Sequence, residues 1–565
     1  MKIVIVGGVA GGASAACRLR RLDEFAEIVI FERSGYVSYA NCGLPYYIGD
    51  IIPNEQNLTL QTPFTLFKRF NICVKVSHEV VDIDPIKKEV KVVNLLNNEE
   101  FIESYDKLIL SPGAKPILPY FYIENKKVCS LRTVEDTLKI KNLINELKPQ
   151  SACIIGAGYV GIEMAENLHN LGIKTSIIQL DSQVLNQFDF DMVSFIHQEI
   201  LSKDINLMLK SKVISLEEVD NKIVVTLENN NTFATDLVIV SVGVIPENLL
   251  AKKASIDLDE KGCIVVNNNM QTSNPDIYAV GDVVSKLNII TNEFVPSFLA
   301  GAANKQGRIA ANNICGIIDE YQGTLSTSIL KVFDLSCASF GLNEKMCKEK
   351  GLNYEKIIIS PMSHASYYPG GKVLTIKLLY NKDDLSIIGS QIVGYDGVDK
   401  RIDVLATASF LKSKVIMLKD LDLAYAPPYS SAKDPVNFLG FIAENIENNL
   451  VKQFYYEDLN KLSKDNNIIL LDTRTSFEYQ RGSAAGFIHI PLDELRSRLD
   501  ELEKNKKIYV MCQSGLRSYL ACRILNQYGF ECYNFAGGYR LYSAIYNSEK
   551  LVKEAYDCGK DFKKI

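Results

Sequence analysis

The sequence has few residues with which to build a metal site or a membrane span. None of its 13 cysteines forms a CxxC pair, and with only five histidines no cluster has the spacing of zinc ligands, so we expect no metal. No apolar run reaches the roughly 18 residues that cross a bilayer, so no membrane partner is expected. An odd number of scattered cysteines in a long chain is typical of reduced thiols in the cytoplasm.

The net charge and the first residues of the chain restrict the expected partners and the expected location of the protein. The net charge of −6 argues against nucleic acid as a partner. The opening MKIVIVGG enters a strand at once and leaves no space for the basic and apolar regions of a secretory signal, so a cytoplasmic protein is expected. With 565 residues, 47% hydrophobic and 23% charged, the chain predicts several globular domains.

A dinucleotide-binding pattern opens the chain. KIVIVGGVAGGASAACRLRRL predicts a strand, a glycine turn and a helix, and EIVIFERS predicts a second strand that ends at Glu32. Gly7 and Gly12 occupy the outer positions of GxGxxG, while Val9 replaces the middle glycine. Such a turn brings backbone N–H groups at a helix start close to a pyrophosphate, and an acid about 20 residues later binds the ribose.

The same pattern returns in SACIIGAGYVGIEMAENLHNLGIKTSIIQL. Gly156, Gly158 and Gly161 fit GxGxxG without exception, and the flanking strand and helix disfavour the simpler interpretation as an ordinary tight turn. At the end of the following strand stands Gln179 instead of an acid, so the choice between NADH and NADPH stays open. Two such units predict two bound dinucleotides.

Over residues 1–445 the chain resembles the FAD- and pyridine nucleotide-dependent disulfide reductase superfamily. The resemblance rests on the order of GGVAGG, the SPG around Gly113, GAGYVG and TSNPDIYAVGD. It implies FAD in the first unit, bound by Gly7, Gly8, Ala10, Gly11, Gly12, Glu32, Arg33, Ser111, Gly113, Asp282 and Ala300. It implies NAD(P)H in the second, bound by Gly156, Gly158, Tyr159, Gly161, Gln179 and Gly243.

The stretch YANCGLPYY contains one cysteine, Cys42, and resembles the single-cysteine branch of that superfamily, which includes coenzyme A-disulfide reductase, NADH peroxidase and NADH oxidase. With a single protein sulfur, the electrons of a flavin need either a small thiol held as a mixed disulfide or an oxygen held as sulfenic acid. The turn-forming context Asn-Cys-Gly-Leu-Pro disfavours the alternative of a small buried core residue.

Two features favour coenzyme A within that branch. The peroxidases and oxidases carry a histidine in the first glycine turn, where this chain has Ala10. AYAPPYSSAKDPVN resembles the coenzyme A-disulfide reductase group, and Tyr425 with Tyr367 (preferred over Tyr368) resembles a catalytic pair that reaches the site from the other subunit of a homodimer; packing within a turn is the alternative role. The resemblance also implies coenzyme A binding by Arg18, Arg21, Ser38, Asn41, Asn304 and Arg308, although arginines on one helix are usually a solvated face. The phosphates of coenzyme A need cations, which Lys68 and Arg69 also offer.

A second sulfur site is predicted in YVMCQSGLRSYLACRIL. With DTRTSFEYQRG and FAGGYR it resembles a rhodanese domain, in which Cys512 carries a persulfide, Gly515 permits a tight loop and Arg517 organises that loop and adds positive potential. Cysteine-dependent phosphatases use Cys-x5-Arg, whereas four residues separate Cys512 from Arg517 here, so the loop fits a single sulfur. Cys522 and Cys532 are expected in the core.

The predicted fold is α/β throughout, and its domains follow the chain. We expect a Rossmann-like FAD-binding domain (1–112 and 245–322), a Rossmann-like NAD(P)H-binding domain (113–244), an α+β dimerisation domain (323–445), a linker (446–460), an α/β rhodanese domain (461–548) and a tail (549–565).

The predicted function is NAD(P)H-dependent reduction of coenzyme A persulfide, polysulfide and coenzyme A disulfide, with sulfane sulfur supplied by Cys512. The alternatives are an NADH oxidase or peroxidase that works through a Cys42 sulfenate, and a sulfur carrier without reductase turnover.

Overall fold

The computed structural model describes residues 1–557, so part of the predicted tail, residues 558–565, lies outside the described residues. The chain forms two compact units. The first contains Met1–Asp181 and Ile205–Ser326, and the second contains Ser182–Asp204 and the described residues from 327 to 557. Within the described residues, no helix combines the length and apolar character needed to cross a membrane.

The first third of the chain begins with the strand–helix–strand unit that its glycine turn predicts and later contains a run of seven strands without a helix. Its elements are β1 Lys2–Val6, α1 Ala10–Leu22, β2 Glu27–Glu32, α2 Leu44–Ile48, α3 Pro63–Phe70, β3 Cys73–Val76, β4 His78–Asp84, β5 Glu89–Asn94, β6 Glu99–Ser104, β7 Lys107–Leu110, β8 Ala114–Pro116 and β9 Val128–Cys129. The next elements are α4 Val134–Leu147, β10 Ser151–Ile155, α5 Tyr159–Asn170, β11 Lys174–Ile178, α6 Phe190–Ser202, β12 Asn206–Met208, β13 Val213–Val219, β14 Lys222–Leu227, β15 Thr232–Thr235, β16 Leu237–Val240 and β17 Val244–Pro246.

The chain then returns to the first domain through α7 Leu249–Lys253, β18 Ile277–Ala279, β19 Ser285–Asn288, β20 Glu293–Pro296 and α8 Ala300–Ile314. The first sheet has the order β18-β7-β1-β2-β3 and the second the order β12-β11-β10-β16-β9, and both are parallel. Strands of a parallel sheet are buried on both faces, which explains the near-continuous apolar runs such as KIVIV and LVIV. The two Rossmann-like domains are confirmed.

The second unit combines an antiparallel and a parallel sheet. The antiparallel part contains β21 Ser328–Val332, β22 Leu335–Gly341, α9 Glu344–Glu349, β23 Tyr354–Ile359, β24 Leu374–Asn381, β25 Ile387–Gly394, α10 Val398–Phe410 and α11 Pro435–Glu447, with strand order β21-β22-β25-β24-β23. The parallel part contains β26 Gln453–Phe454, α12 Leu459–Leu462, β27 Ile468–Asp472, α13 Ser476–Gln480, β28 Ile488–His489, β29 Lys507–Met511, α14 Leu516–Gln527, β30 Cys532–Phe535 and α15 Gly538–Asp557, with order β26-β30-β29-β27-β28.

The predicted linker 446–460 is partly structured. Within it, β26 pairs with β30 and so belongs to the last sheet, which therefore begins before the predicted boundary at 461. The side chains that follow attach this region to the antiparallel domain. The hydroxyl of Tyr455 donates to Glu355 Oε1 at 2.7 Å, and Lys356 pairs with Glu457.

A buried ion cluster explains why α6 belongs to the second unit. Lys377 on β24 is 1% exposed, and its Nζ lies 3.0 Å from Asp189 Oδ2 and 2.7 Å from Asp191 Oδ2. Glu344 completes the cluster at 2.5 Å. A buried ammonium group is stable only when it is paired, so these carboxylates fix the start of α6 against the antiparallel sheet.

Candidate functional site

The first glycine turn is too tightly packed for any other residue at two positions. Gly7 has φ +92°, and a Cβ there would lie 2.1 Å from the carbonyl oxygen of Ser111. A Cβ on Gly12 would lie 1.9 Å from the carbonyl oxygen of Gly7. The turn therefore holds the start of α1 against the carboxyl ends of β1 and β7, where a dinucleotide pyrophosphate fits.

Glu32 ends β2 as predicted and faces this turn. Its Oε2 accepts from the Gly8 amide at 2.8 Å and its Oε1 from the Ser34 amide at 3.0 Å, and the residue is 6% exposed. Burial raises the pKa of Glu32, while the two amides oppose that shift. Each carboxylate oxygen keeps a further lone pair that could accept from a ribose hydroxyl, so the residue fits the adenosine end of FAD.

The second glycine turn repeats the geometry but leaves more space. Gly156 has φ +102° and a Cβ there would meet the Ser241 carbonyl oxygen at 2.2 Å, whereas a Cβ on Gly158 would meet nothing within 4 Å. Gln179 occupies the position of the ribose-binding acid, and its Oε1 accepts from the Ala157 amide at 3.0 Å. Open space at Gly158 and a neutral amide at the strand end suit a nicotinamide dinucleotide with or without a 2′-phosphate.

Cys42 lies in the short 3-10 turn Asn41–Gly43 that leads into α2, and its side chain is exposed. The surrounding protein raises the pKa of its thiol by desolvation, and the carboxylates of Glu163 and Asp282 add to that effect while Arg132 opposes it. The free sulfur is thus accessible, but its thiolate needs further help to form.

Two of these neighbours, Glu163 and Arg132, were not identified from the sequence. Glu163 on α5 accepts a hydrogen bond from the Tyr46 hydroxyl at 3.3 Å, because α2 packs against α5. Burial raises the pKa of Glu163 to about 7. The available signal was a carboxylate inside the apolar face of the helix GIEMAEN, but nothing in the sequence placed it beside a cysteine 121 positions earlier.

The predicted flavin residue Asp282 follows β18 and forms an ion pair. Arg132 Nη2 donates to Asp282 Oδ2 at 2.8 Å, and the Gly281 amide donates to Gln306 Oε1 at 2.9 Å. Gln306 is completely buried, and its Nε2 has no hydrogen-bond partner among the described residues. A buried amide donor without a partner beside Asp282 is what a bound flavin would satisfy.

The remaining predicted cofactor residues lie at the ends of these elements. Ala10 and Ala300 are the first residues of α1 and α8, Tyr159 is the first of α5, Gly161 is the third residue of that helix, and Gly11 follows Ala10. Ser111 follows β7, and Gly113 and Gly243 have positive φ angles of 78° and 120°. Arg33 is directed to other partners, with ion pairs to Glu79 and Glu247.

The predicted coenzyme A residues divide into anchored and free side chains. Arg18 Nε donates to Asn312 Oδ1 at 2.7 Å, and Asn304 Oδ1 accepts from the Ser14 hydroxyl at 2.7 Å, so both connect α1 to α8. Asn41 keeps a buried Oδ1 without a partner among the described residues, and Ser38 has φ +51°. The exposed cations of the set are Arg21, Lys68, Arg69 and Arg308, and Asn304 is exposed as well.

The second unit brings the two predicted tyrosines together. The hydroxyl oxygens of Tyr367 and Tyr425 lie 2.7 Å apart, and the residues are 73% and 46% exposed. Tyr368 instead packs its ring against His364. An exposed pair of phenols on one surface can donate to a ligand or to a second molecule.

The loop between β29 and α14 surrounds the Cys512 sulfur with donors. Sγ accepts from the Gly515 amide at 3.1 Å and from the Ser518 hydroxyl at 3.3 Å, and Cys512 is 1% exposed. Gly515 caps α14 with φ +101°, a conformation that favours glycine. Donors at a helix start stabilise a sulfur anion. Cys522 and Cys532 are buried, as expected.

Arg517 lies in the first turn of α14, but its charge is shared. Its Nη1 and Nη2 each lie 2.7 Å from an oxygen of Glu478, and this pairing lowers the pKa of Glu478 to about 2. Arg517 therefore organises the loop through Glu478, and the carboxylate reduces the positive potential that it offers to Cys512. A second pair, Asp472 with Arg474 at 2.7 Å, is fully buried behind it.

Two nucleotide-binding folds, an accessible thiol beside one of them and a thiol cradled in a second loop define a dinucleotide-dependent redox protein with an added sulfur-handling domain. The chain belongs to the pyridine nucleotide-disulphide oxidoreductase family, whose model matches residues 1–359, with that family's dimerisation domain at 327–435 and a rhodanese-like domain at 456–545. Its cofactors are FAD and NAD(P)H.

Known relatives match either the first four fifths of this chain or nearly its whole length. The chain is 36% identical to the coenzyme A disulfide reductase of Staphylococcus epidermidis over 444 residues, 78% of this chain and 100% of the relative. The structure of reduced CoADR-RHD from Bacillus anthracis is 45% identical with a TM-score of 0.94, covering 97% of this chain and 98% of that one. A NAD-dependent persulfide reductase from A. fulgidus is 36% identical with a TM-score of 0.90, covering 96% and 100%.

Proposed function

We propose that this protein uses NAD(P)H to reduce sulfane sulfur and disulfide bonds carried on coenzyme A. The observation that carries the proposal is Cys42: it is exposed, and all twelve described cysteines, Cys42 included, are free thiols. Without a protein partner, its redox cycle needs either a small thiol or an oxygen held as sulfenic acid. The similarity to a coenzyme A disulfide reductase and to a persulfide reductase supports coenzyme A as that thiol.

The reaction follows from thiol exchange. The Cys42 thiolate attacks the inner sulfur of a coenzyme A persulfide, forming a Cys42–coenzyme A mixed disulfide and, with a proton, releasing hydrogen sulfide. When bound, FAD supplies two electrons taken as hydride from NAD(P)H. Two-electron reduction of the mixed disulfide would restore the Cys42 thiolate and, with a proton, release coenzyme A thiol. With coenzyme A disulfide, the first product is coenzyme A thiol instead.

Glu163 and Arg132 adjust the charge at Cys42. A carboxyl whose pKa is about 7 alternates between neutral and charged near physiological pH, and its neutral form favours the attacking thiolate. Arg132 favours the same thiolate through its positive charge. Coenzyme A would reach this thiol past Ser38 and Asn41, and its phosphates would meet the exposed cations Arg21, Lys68, Arg69 and Arg308 together with Arg18 and Asn304.

Cys512 would collect the sulfur. Its Sγ receives two hydrogen bonds that equally suit a terminal persulfide anion, and sulfur from polysulfide, thiosulfate or another persulfide would pass from there to coenzyme A. Disulfide reduction alone gives such a domain nothing to carry, so the fusion favours a persulfide as the working substrate.

A homodimer would complete the Cys42 site. Tyr367 and Tyr425 are hydrogen-bonded to each other on an exposed surface of the unit that contains the dimerisation domain. From a second subunit, one phenol could donate a proton to the sulfur that leaves coenzyme A.

Ala10 disfavours the oxidase or peroxidase alternative, because it offers no imidazole to transfer protons to peroxide. The reaction of the reduced enzyme with different acceptors distinguishes the two functions. Anaerobic stopped-flow measurement on the NADH- or NADPH-reduced enzyme, with coenzyme A persulfide, coenzyme A disulfide and peroxide in turn, separates the candidates. Fastest flavin reoxidation by the persulfide is expected; fastest reoxidation by peroxide favours the peroxidase class.

Matched variants test the thiol itself. Cys42→Ser should abolish persulfide turnover, whereas Cys73→Ser, at another exposed cysteine, should retain it. Full turnover by Cys42→Ser refutes the proposal. Cys512→Ser should lose only thiosulfate- or polysulfide-dependent activity, and absence of NAD(P)H turnover with every sulfur acceptor would instead support a sulfur carrier.

A further inference from the structure

A cavity in the second unit is lined by neither Cys42 nor Cys512. It measures about 220 Å³ and is bounded by α6, by the end of β25 and by the first turn of α15. A single water needs only about 10–15 Å³ of such space, so the cavity accepts a larger guest, yet it is smaller than the pockets of roughly 300–1,000 Å³ that take drug-sized ligands.

Arg540 projects into this cavity without a conventional partner. Within residues 1–557 its side chain makes no hydrogen bond or ion pair, and its Nε is fully buried. Its guanidinium carbon lies 5.4 Å from the centre of the Phe195 ring. Burial lowers the pKa of the Arg540 guanidinium, which marks an environment that resists positive charge.

Glu199, the acidic residue among those that line the cavity, already has partners other than Arg540. Glu199 is 6% exposed, accepts from the Tyr395 hydroxyl at 2.9 Å and pairs with Lys203 at 3.5 Å. Both oxygens of the Glu199 carboxylate therefore have partners other than Arg540. A guanidinium cannot lose its proton to escape burial, and a ring contact does not replace the hydrogen bond that the buried Nε donor lacks.

We propose that this cavity binds a small oxyanion on Arg540. The planar fork of a guanidinium matches two oxygens of a tetrahedral anion such as sulfate, thiosulfate or phosphate, or of pyramidal sulfite. Gln198 also lines the cavity and offers an amide donor from α6. The site is too small for coenzyme A.

The site is directly connected to the Cys512 loop. The Arg540 amide donates to the Gln513 carbonyl at 3.1 Å, and the preceding Tyr539 amide donates to the Cys512 carbonyl at 2.8 Å. An anion that orders Arg540 also orders the first turn of α15, which holds both carbonyls. Sulfur oxyanions are the donors and products expected of a rhodanese loop. Occupancy of the Arg540 site would therefore make the order of the Cys512 loop depend on their concentration.

Crystallography of the FAD-loaded full chain with selenate, which replaces sulfate and scatters anomalously, tests the site. Selenium density within hydrogen-bond distance of the Arg540 guanidinium is expected. At saturating selenate, density absent from this cavity overturns the proposal. Calorimetric titration without NAD(P)H then compares sulfate, sulfite and phosphate, which separates a sulfur source from a phosphate source; the result does not depend on the proposed reductase reaction.

Two arginines of the same domain provide the comparison. Arg540→Gln should weaken sulfate binding at least tenfold, and Arg540→Lys should lie between it and the parent protein. Arg481→Gln should change binding less than twofold, because Arg481 also lies 5.4 Å from a phenylalanine ring, that of Phe477, but is exposed outside the cavity. If Arg540→Gln disturbs folding, Gln198→Ala should still weaken binding several-fold. Equal affinity in all of these variants overturns the proposal.

Discussion

At the scale of single residues, the two cysteines have opposite surroundings. Cys42 is accessible but lies near two carboxylates that disfavour its thiolate. Cys512 is buried but receives two hydrogen bonds on its sulfur. An attacking nucleophile needs access, whereas a group that stores a reactive sulfur benefits from enclosure.

Glu163→Gln should make Cys42 more acidic. Above about pH 7 Glu163 carries a negative charge that raises the pKa of the Cys42 thiol, and a neutral amide removes that repulsion. The pKa of Cys42 should fall by about half a unit to one unit. The measurement is the pH dependence of iodoacetamide alkylation in the reduced enzyme, corrected with Cys42→Ser.

The matched control is Glu146→Gln, which removes an exposed carboxylate from α4 and should leave the alkylation profile in place. An unchanged or upward-shifted profile in Glu163→Gln contradicts the assigned charge effect.

Arg517 and Glu478 should act as one group in sulfur transfer. Each single change to Gln leaves a charged partner unpaired, so Arg517→Gln and Glu478→Gln should each lower kcat/KM for transfer from thiosulfate to cyanide. The double variant should lose about fivefold less than the product of the single losses, a coupling of about 1 kcal/mol. Arg498→Gln, in an exposed ion pair with Glu501, should have no effect. Strictly multiplicative losses would show that the pair is not coupled.

At the scale of elements, the patterns with local causes were predictable. A glycine turn between strand and helix involves neighbouring residues, so both turns and the end of β2 at Glu32 follow from the sequence. Contacts of Glu163 and Arg132 with residues more than 100 positions away carry no local signal. The two-residue strand β26 was missed for another reason, since it is too short to show any periodicity.

Gly158→Ala should separate folding from nucleotide binding. An added Cβ meets no protein atom within 4 Å, and φ is −79°, so neither packing nor backbone is strained. FAD content and thermal stability should stay unchanged, while KM for NAD(P)H rises several-fold because the methyl group occupies the space of the pyrophosphate.

Gly156→Ala provides the contrast. Its Cβ would collide with a backbone oxygen at 2.2 Å, and its φ is positive, so the melting temperature should fall. A Gly158→Ala protein with unchanged KM would show that the nucleotide does not approach this turn.

At the scale of the whole molecule, the shared-site hypothesis can be tested by mixing subunits. Cys42→Ser and the double variant Tyr367→Phe/Tyr425→Phe should each be nearly inactive as homodimers. If the tyrosines serve the partner's Cys42, a mixed dimer contains one intact site, and random exchange should restore about a quarter of parental persulfide reductase activity. No recovery after verified exchange would place the tyrosines and Cys42 of one site in the same chain.

The attachment of the last domain has a consequence for how cargo moves. Tyr455 and Glu457 fasten its entry to the neighbouring antiparallel sheet, and Lys356 receives both a ring face and a carboxylate there. These contacts restrict the movement of the last domain relative to the antiparallel sheet of the same unit. Sulfur taken up at the proposed Cys512 site would then leave on a small diffusible thiol. The length of that thiol, and not a movement of the domain, would limit how far the sulfur is transferred.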